Sequence, residues 1–177
     1  MPAIRPARPE DARAIAAIHT DSWRETYAGL MPEDFLARMT DEAQRERRAA
    51  FWAQNIAAGQ DVVLVAEEDG EVIAFASAGA PRDHDGYGAE LFTLYSRRAT
   101  QGQGTGQALL QAVAVALQAR GAQSLALWVL DVNPTRQWYA RQGAAEAGEK
   151  AEPIAGGELR EIRMGWPDLR ELAAGEA

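Results

Sequence analysis

The chain has 177 residues, 47% of them hydrophobic, which suits one domain with a sizeable core. Eighteen basic against 26 acidic side chains leave a formal charge of −8, an argument against nucleic acid as a partner. Cysteine is absent, which excludes disulfides, thiolate nucleophiles and cysteine-based metal sites. No apolar run is long enough to span a membrane, and the first ten residues are charged and unlike a secretory signal. A soluble, cytoplasmic protein with no membrane partner is therefore expected.

In chain order, residues 3–5 read as a short edge strand ended by Pro6 and Pro9. Pro9-Glu10-Asp11 opens a helix, with proline and acids in its first turn. Asp11, Ile15, Ile18 and Ser22 share one face, His19 falls opposite the apolar stripe, and Gly29 stops the helix after Tyr27. Pro32-Glu33-Asp34 opens a short second helix. Thr40-Asp41-Glu42 opens a third, which runs to about Ala58. In it Phe51, Trp52 and Ile56 are expected toward the core and Arg45, Arg47 and Arg48 toward water.

The period then changes. Residues 62–66 form an apolar run suited to a covered strand, Glu68-Asp69-Gly70-Glu71 a hairpin turn, and residues 72–77 the return. In the return, large Ile73 and Phe75 alternate with small Ala74 and Ala76. A loop rich in Gly, Asp and Pro covers 79–88, and a third central strand covers 90–96. After a long helix over 104–120 comes a strand at 124–130, with Leu125, Leu127 and Val129 on one face. Asn133-Pro134 begins a short helix that Gly143 closes. Two weaker strands follow, at 144–151 and 158–164, and residues 169–177 read as a polar, frayed tail. The order predicts one α/β domain over 1–168, a sandwich around a mixed sheet, without internal repeat or linker.

The most specific stretch is Gln101-Gly102-Gln103-Gly104-Thr105-Gly106, between a strand and the long helix. Alternating glycines leave backbone amides unshielded, and a helix that starts there adds its orphan amides and the positive end of its dipole. That is a cradle for phosphate or pyrophosphate. No Lys-Ser or Lys-Thr follows, so it is not a nucleotide-triphosphate loop, and the third glycine of the dinucleotide fingerprint is missing.

In this context the stretch resembles the acyl-CoA loop, Gln/Arg-x-x-Gly-x-Gly/Ala, of the GCN5-related N-acetyltransferase (GNAT) superfamily. Leu94-Tyr95 before it and Leu109-Leu110 after it fit the same pattern. Trp128-Val129-Leu130 through Asn133 to Trp138-Tyr139 and Gly143 resembles the family's later strand and helix. The opening Ile4-Arg5-Pro6-Ala7, the Ser22-Trp23-Arg24-Glu25-Thr26-Tyr27 stretch and the closing Glu161-Ile162-Arg163-Met164-Gly165-Trp166 resemble the corresponding stretches of many uncharacterised members. The resemblance covers nearly the whole chain. It implies the GNAT-like fold, a mixed, largely antiparallel sheet flanked by helices and splayed between the strands that end near Ser96 and Leu130.

The same resemblance implies a division of labour. Backbone amides of Gly102, Gln103, Gly104, Thr105 and Gly106, beside Gln101, would hold the pyrophosphate of acetyl-CoA. Arg97 or Arg98 would add attraction. Backbone groups of Leu94, Tyr95 and Ser96 would pair with the pantetheine arm like an extra strand, and Asn133 would assist in coenzyme binding. Tyr139 fits the family's tyrosine that protonates the departing thiolate; residue pattern alone favours a core tyrosine packed beside Trp138. For the base, Glu90 is the first candidate, because relatives place a carboxylate there that relays the amine proton through water. His84 is the rival at the substrate end, since its ordinary value suits the task, although Asp83-His84-Asp85-Gly86 reads as a solvated loop. Trp23, Tyr27 and Phe35 would wall the acceptor pocket or pack the helices to the sheet.

The leading expectation is an acetyl-CoA-dependent N-acetyltransferase acting on a small-molecule amine or a protein N-terminus. Phosphoryl transfer would need a lysine and a magnesium-binding set that the loop lacks. A non-catalytic acyl-CoA sensor would keep the loop without needing Tyr139 or Glu90. Two distant histidines among scattered acids predict no metal site. A homodimer is the family tendency, with Trp128 and Trp166 available for an interface or for the core.

Overall fold

The computed structural model describes residues 1–175. Its elements are β1 (Ala3–Pro6), α1 (Ala12–Tyr27), α2 (Glu33–Met39), α3 (Glu42–Ala58), β2 (Val62–Glu68), β3 (Glu71–Gly79) and β4 (Glu90–Ser96). There follow α4 (Thr105–Ala119), β5 (Leu125–Leu130), α5 (Thr135–Arg141), β6 (Ala145–Ile154), β7 (Gly157–Trp166) and α6 (Leu169–Ala174). The seven strands make one sheet in the order β1-β2-β3-β4-β5-β7-β6. Every neighbouring pair is antiparallel except β4 and β5. None of the described helices is long and apolar enough to cross a membrane.

Because both faces of the sheet are covered, its central strands are apolar throughout instead of alternating. On one side Val62, Leu64 and Ala66 of β2 meet Leu109, Leu110, Val113 and Leu117 of α4. On the other, Val63 and Val65 meet Ile15 and Ile18 of α1 and Trp52 of α3. The expected pairing of Ile73 with Phe75 on one face does not hold. The register slips there, with Ala66 opposite Ala74 but Glu67 opposite Val72, so Ile73 is the extra residue of a β-bulge. The bulge sends Ile73 to the α4 side while Phe75 packs against α1 and α3.

The third helix corrects a second expectation. Asp41 caps it by accepting from the Gln44 amide at 2.7 Å. Trp52 is buried as predicted, but Phe51 is 56% exposed and Arg48 is buried. Arg48 Nη1 donates to Thr20 Oγ1 at 3.0 Å and to the Met39 carbonyl at 2.7 Å, which tie α3 to α1 and to the end of α2. The segment expected as a polar tail also differs. Leu169 is fully buried in the α4-side core, and Gln111 of α4 donates to the Ala173 carbonyl at 3.1 Å. One leucine and a capping Asp168 are enough to dock a helical turn, and hydropathy averaged over a charged segment hides them. Residues 176 and 177 lie outside the described residues.

The sheet opens where β4 meets β5. Among the described residues these parallel strands share one register pair, Glu90 with Ala126, and then diverge. β4 stays paired to β3 along its other edge, and β5 stays paired to β7 from Leu125 to Leu130.

Candidate active site

The divergence of β4 and β5 leaves a cavity of about 1020 Å³. One end is bordered by Leu94, Tyr95 and Ser96 on the open edge of β4 and by the loop that enters α4. Gly102 and Gly104 have φ of 79° and 83°, a left-handed conformation that side chains resist. They turn the chain so that α4 begins at the cavity, and among the described residues no side chain caps it. Its first amides therefore remain free for a ligand. Thr105 adds a second sign. The residue is 2% exposed, yet its Oγ1 has no hydrogen-bond partner among the described residues. An orphaned buried hydroxyl in a ring of free amides fits an anionic group such as a pyrophosphate. Gly106 completes the cradle from behind, where an added Cβ would lie 3.5 Å from the Trp138 ring.

Two titratable groups, Tyr139 and Glu90, line the same cavity. Tyr139, on α5, is 6% exposed, with its ring wedged between Trp138 and Trp166 at centroid distances of 5.1 and 6.2 Å. Burial pushes its phenol well above the ordinary value, so it stays protonated at neutral pH. Glu90, 2% exposed, opens β4. Its Oε1 accepts from the Arg82 amide at 3.0 Å and from Arg82 Nε at 3.3 Å, and its Oε2 accepts from Arg82 Nη2 at 2.9 Å. Burial pushes this carboxyl up, but the hydrogen bonds and charge of Arg82 outweigh it and hold it below the usual carboxylate range.

The rest of the lining is aromatic and charged. Trp23 Nε1 donates to Tyr95 Oη at 3.1 Å, and Asn133 Nδ2 donates to Tyr27 Oη at 3.0 Å. Lys150 stands 4.3 Å above the Trp128 ring, between Asp83 at 3.7 Å and Glu161 at 3.6 Å. Across from them His19 stacks on Tyr95 with a centroid distance of 5.0 Å.

A family model described as acetyltransferase (GNAT) family matches residues 15–144. The chain belongs to this family. It is 35% identical over 173 residues to the uncharacterised N-acetyltransferase YuaI of Bacillus subtilis (strain 168), which covers 97% of this chain and 96% of that one. The fold is similar to that of ribosomal-protein-alanine N-acetyltransferase from Brucella melitensis, with a TM-score of 0.70 and 26% identity over 93% of this chain and 98% of that one. It is also similar to yncA of Salmonella typhimurium, solved with its cofactor acetyl-CoA, with a TM-score of 0.71 and 24% identity over 100% of this chain and 99% of that one.

Within this GNAT-family fold the expected residues separate into groups. Leu94, Tyr95, Ser96, Gln101, Gly102, Gly104, Thr105, Gly106, Asn133, Trp23, Tyr27, Glu90 and Tyr139 all border the one cavity. Gln103, Arg97 and Arg98 are exposed and do not border it. The Arg97 amide instead donates to the Ile73 carbonyl at 2.9 Å, which extends the β3–β4 ladder past its end. Asn133 is first a structural residue, because its Oδ1 accepts from the Thr135 amide at 2.9 Å. Phe35 also lies off the cavity. Its neighbour Leu36 is the inward residue of α2, packed with Tyr27 and Leu130, a register error of one position.

Both histidines are placed differently from expectation. His84 is not solvated but 5% exposed behind the cavity wall, stacked on Trp128 at 5.0 Å. His19 does not face away from the core. It borders the cavity, and burial, with the Arg48 charge adding, pushes it down to about 3. Trp166 is core, and Trp128 is covered by His84, Lys150 and Arg163, so neither offers a free apolar face for a dimer. Sequence reasoning missed Arg82, Lys150 and Glu161. The alternation in Glu158-Leu159-Arg160-Glu161-Ile162-Arg163 marks a strand with a charged face, but only the folded sheet brings that face to the loop before β4.

Proposed function

We propose that this GNAT-family protein transfers an acetyl group from acetyl-CoA directly to a primary amine, on a small molecule or a protein N-terminus. The observation that carries the reading is that the uncapped start of α4, with the orphaned Thr105 hydroxyl, opens into the same cavity as Tyr139 and Glu90. The amides of residues 102–106 bind the pyrophosphate. The free edge of β4 at Leu94, Tyr95 and Ser96 aligns the amide-bearing arm as an added strand. Acetyl-CoA supplies an activated acyl carbon and a thiolate leaving group.

The remaining work falls to the side chains. The amine nitrogen bonds to the acyl carbon, and the carbon–sulfur bond breaks. Nitrogen becomes strongly acidic as its new bond forms, and Glu90 accepts its proton through water despite its low proton affinity. Tyr139 gives its hydroxyl proton to the departing sulfur. Burial keeps that phenol protonated and available as a donor, and the same desolvation raises the basicity of a thiolate beside it. Asp83, Glu90 and Glu161 are paired with Arg82 and Lys150 at the cavity wall, which leaves a slight acidic excess toward a cationic acceptor, and that acceptor loses a proton before it attacks.

Calorimetric titration with acetyl-CoA, followed by thiol release across a panel of amines and N-terminal peptides, tests the reading. Saturable binding with amine-dependent thiol release is expected. Saturable binding with no release on any amine favours the sensor role, and no binding removes both.

A further inference from the structure

We propose that Arg163 locks His84 as the Nε2–H tautomer, which makes His84 a positioning residue that donates toward Glu90 and removes it as a rival base. The inference rests on the reading of Glu90 as the proton acceptor and assigns a role to the side chain behind it. Its first support is one hydrogen bond. Arg163 Nε donates to His84 Nδ1 at 2.9 Å. A guanidinium carries only donors and keeps its proton throughout the physiological range, so Nδ1 must present a lone pair. A neutral imidazole with a bare Nδ1 carries its hydrogen on Nε2. Arg163 is itself fixed, with Nη2 donating to the Asp83 carbonyl at 2.7 Å and its guanidinium 4.7 Å above the Trp128 ring.

The second support is the surroundings of Nε2. The His84 side chain has no exposure, its ring is held against Trp128, and Nε2 has no hydrogen-bond partner among the described residues. Glu90 Oε2 lies 3.6 Å from it. That is beyond hydrogen-bond range and is an electrostatic contact that a few tenths of an ångström would convert into a bond, the kind of tightening that accompanies ligand binding in active sites. Arg82 holds the same carboxylate, but its side chain is 70% exposed. The solvated arm can leave and return, whereas the buried imidazole cannot. The Arg82 backbone amide anchors Oε1 at 3.0 Å, and His84 steers Oε2 from the buried side.

The lock also explains why His84 takes no proton itself. A second proton would go on Nδ1 and face the Arg163 guanidinium, donor against donor. Burial pushes His84 below its ordinary value, and Arg163 and Lys150 push the same way, against the pull of Glu90. The charged groups around the pair come from four segments. They are Arg82 and Asp83 in its own loop, Asp61 before β2 acting on Arg82, Lys150 on β6, and Glu161 and Arg163 on β7.

Nitrogen-15 NMR of the imidazoles tests the lock without any acceptor or coenzyme. The chain has two histidines, so a His84→Gln variant assigns both. A neutral ring with pyridine-type Nδ1 and pyrrole-type Nε2 is expected at pH 7. The opposite tautomer, or an imidazolium, overturns the proposal. The positioning role is read from the carboxyl carbon-13 titration of Glu90. His84→Phe is expected to raise its midpoint by roughly half a pH unit, and His84→Gln, which keeps an N–H near the Nε2 position, to restore it. An unmoved midpoint in a folded His84→Phe protein overturns the role. If that variant does not fold, His84→Asn, whose shorter amide cannot reach Oε2, takes its place, and an unmoved midpoint there overturns the role. The readouts are independent of thiol release, so loss of the acetyltransferase reading leaves the tautomer result standing, and the reverse also holds.

Discussion

The half-buried imidazole of His19 gives a stability prediction that can be worked from its surroundings. It lies among Tyr95, Phe75 and Trp52 at centroid distances of 5.0, 6.1 and 6.4 Å, and its Nδ1 is buried without a partner among the described residues. The folded protein holds it at about 3, against the ordinary 6.5. The unfolded chain therefore binds the extra proton between those values. The contribution to stability is fully present above pH 6.5 and is lost as the pH falls toward 3. At pH 5 the solution lies about 1.5 units below the ordinary 6.5 of the unfolded imidazole, and at 1.36 kcal/mol per unit the loss is about 2 kcal/mol. A leucine at this position cannot titrate and removes the unpartnered nitrogen. Urea unfolding of wild type and His19→Leu at pH 7.5 and pH 5 isolates the effect, because Asp11, His84 and Glu90 titrate in both proteins and cancel. The variant is expected to be at least as stable at pH 7.5 and to lose about 2 kcal/mol less on acidification. Equal losses in the two proteins would refute the argument and mean that water reaches the imidazole well enough to solvate its charge.

Three further predictions concern the reaction. Gly104→Val places a branched side chain at φ 83°, a backbone strain of about 1–2 kcal/mol, and blocks close approach to the loop amides. Calorimetry should show acetyl-CoA affinity falling much more than the melting temperature, and equal affinities in a folded variant would place the phosphates elsewhere. Tyr139→Phe keeps the packing against Trp138 and Trp166 but loses the hydroxyl. Turnover should fall roughly 10- to 10,000-fold with little change in coenzyme affinity, whereas a tyrosine that only packs leaves steady-state rates near normal. Glu90→Gln should lower kcat/KM for the amine while coenzyme affinity holds. Because the carboxyl is held below its usual range, its contribution to stability is present above that range and lost on acidification through it. Unfolding curves of Glu90→Gln below pH 5 should therefore be flatter against pH than those of wild type.

The parts of the fold that sequence reasoning reached are those specified by local rules. The glycine loop, the strand before it and the helix after it were legible because phosphate-binding turns require particular backbone conformations, and Gly102 and Gly104 adopt them. The order of elements was legible because the apolar period switches from helical to strand-like near Val62. Failures occurred where a partner distant in sequence decides the outcome. Arg48 is buried because Thr20 and the Met39 carbonyl satisfy its guanidinium, and His84 because Arg163, 79 positions away, occupies its Nδ1. His19 reads as the wrong side of an amphipathic helix because the cavity interrupts the core there, so a polar residue faces inward toward Tyr95. Phe51 and Phe35 each sit one position from the residue that is buried, Trp52 and Leu36.

The open edge of β4 shows how these local and distant causes combine into a site. Opposite β3 the register slips again, with Ser77 paired to Thr93 but Ala78 paired to Leu91, so Phe92 is an extra residue inside β4. A bulge sharpens the twist and bends the strand. The extra residue lies two positions after Glu90, the one residue of β4 in register with β5. The sheet therefore gives up ladder hydrogen bonds along the rest of that edge, even though β4 stays paired to β3 and β5 to β7. Unpaired backbone groups in a walled cavity are costly unless something meets them. A helix or loop folded over the gap would have met them permanently. Here the gap instead adjoins an uncapped helix start and ends at a charged aromatic pocket. A ligand that is anionic at one end, carries amides along its length and bears a reactive group at the far end meets all three requirements at once. Acetyl-CoA carries groups of all three kinds, and the cavity that the glycines border is also lined by Tyr139 and Glu90.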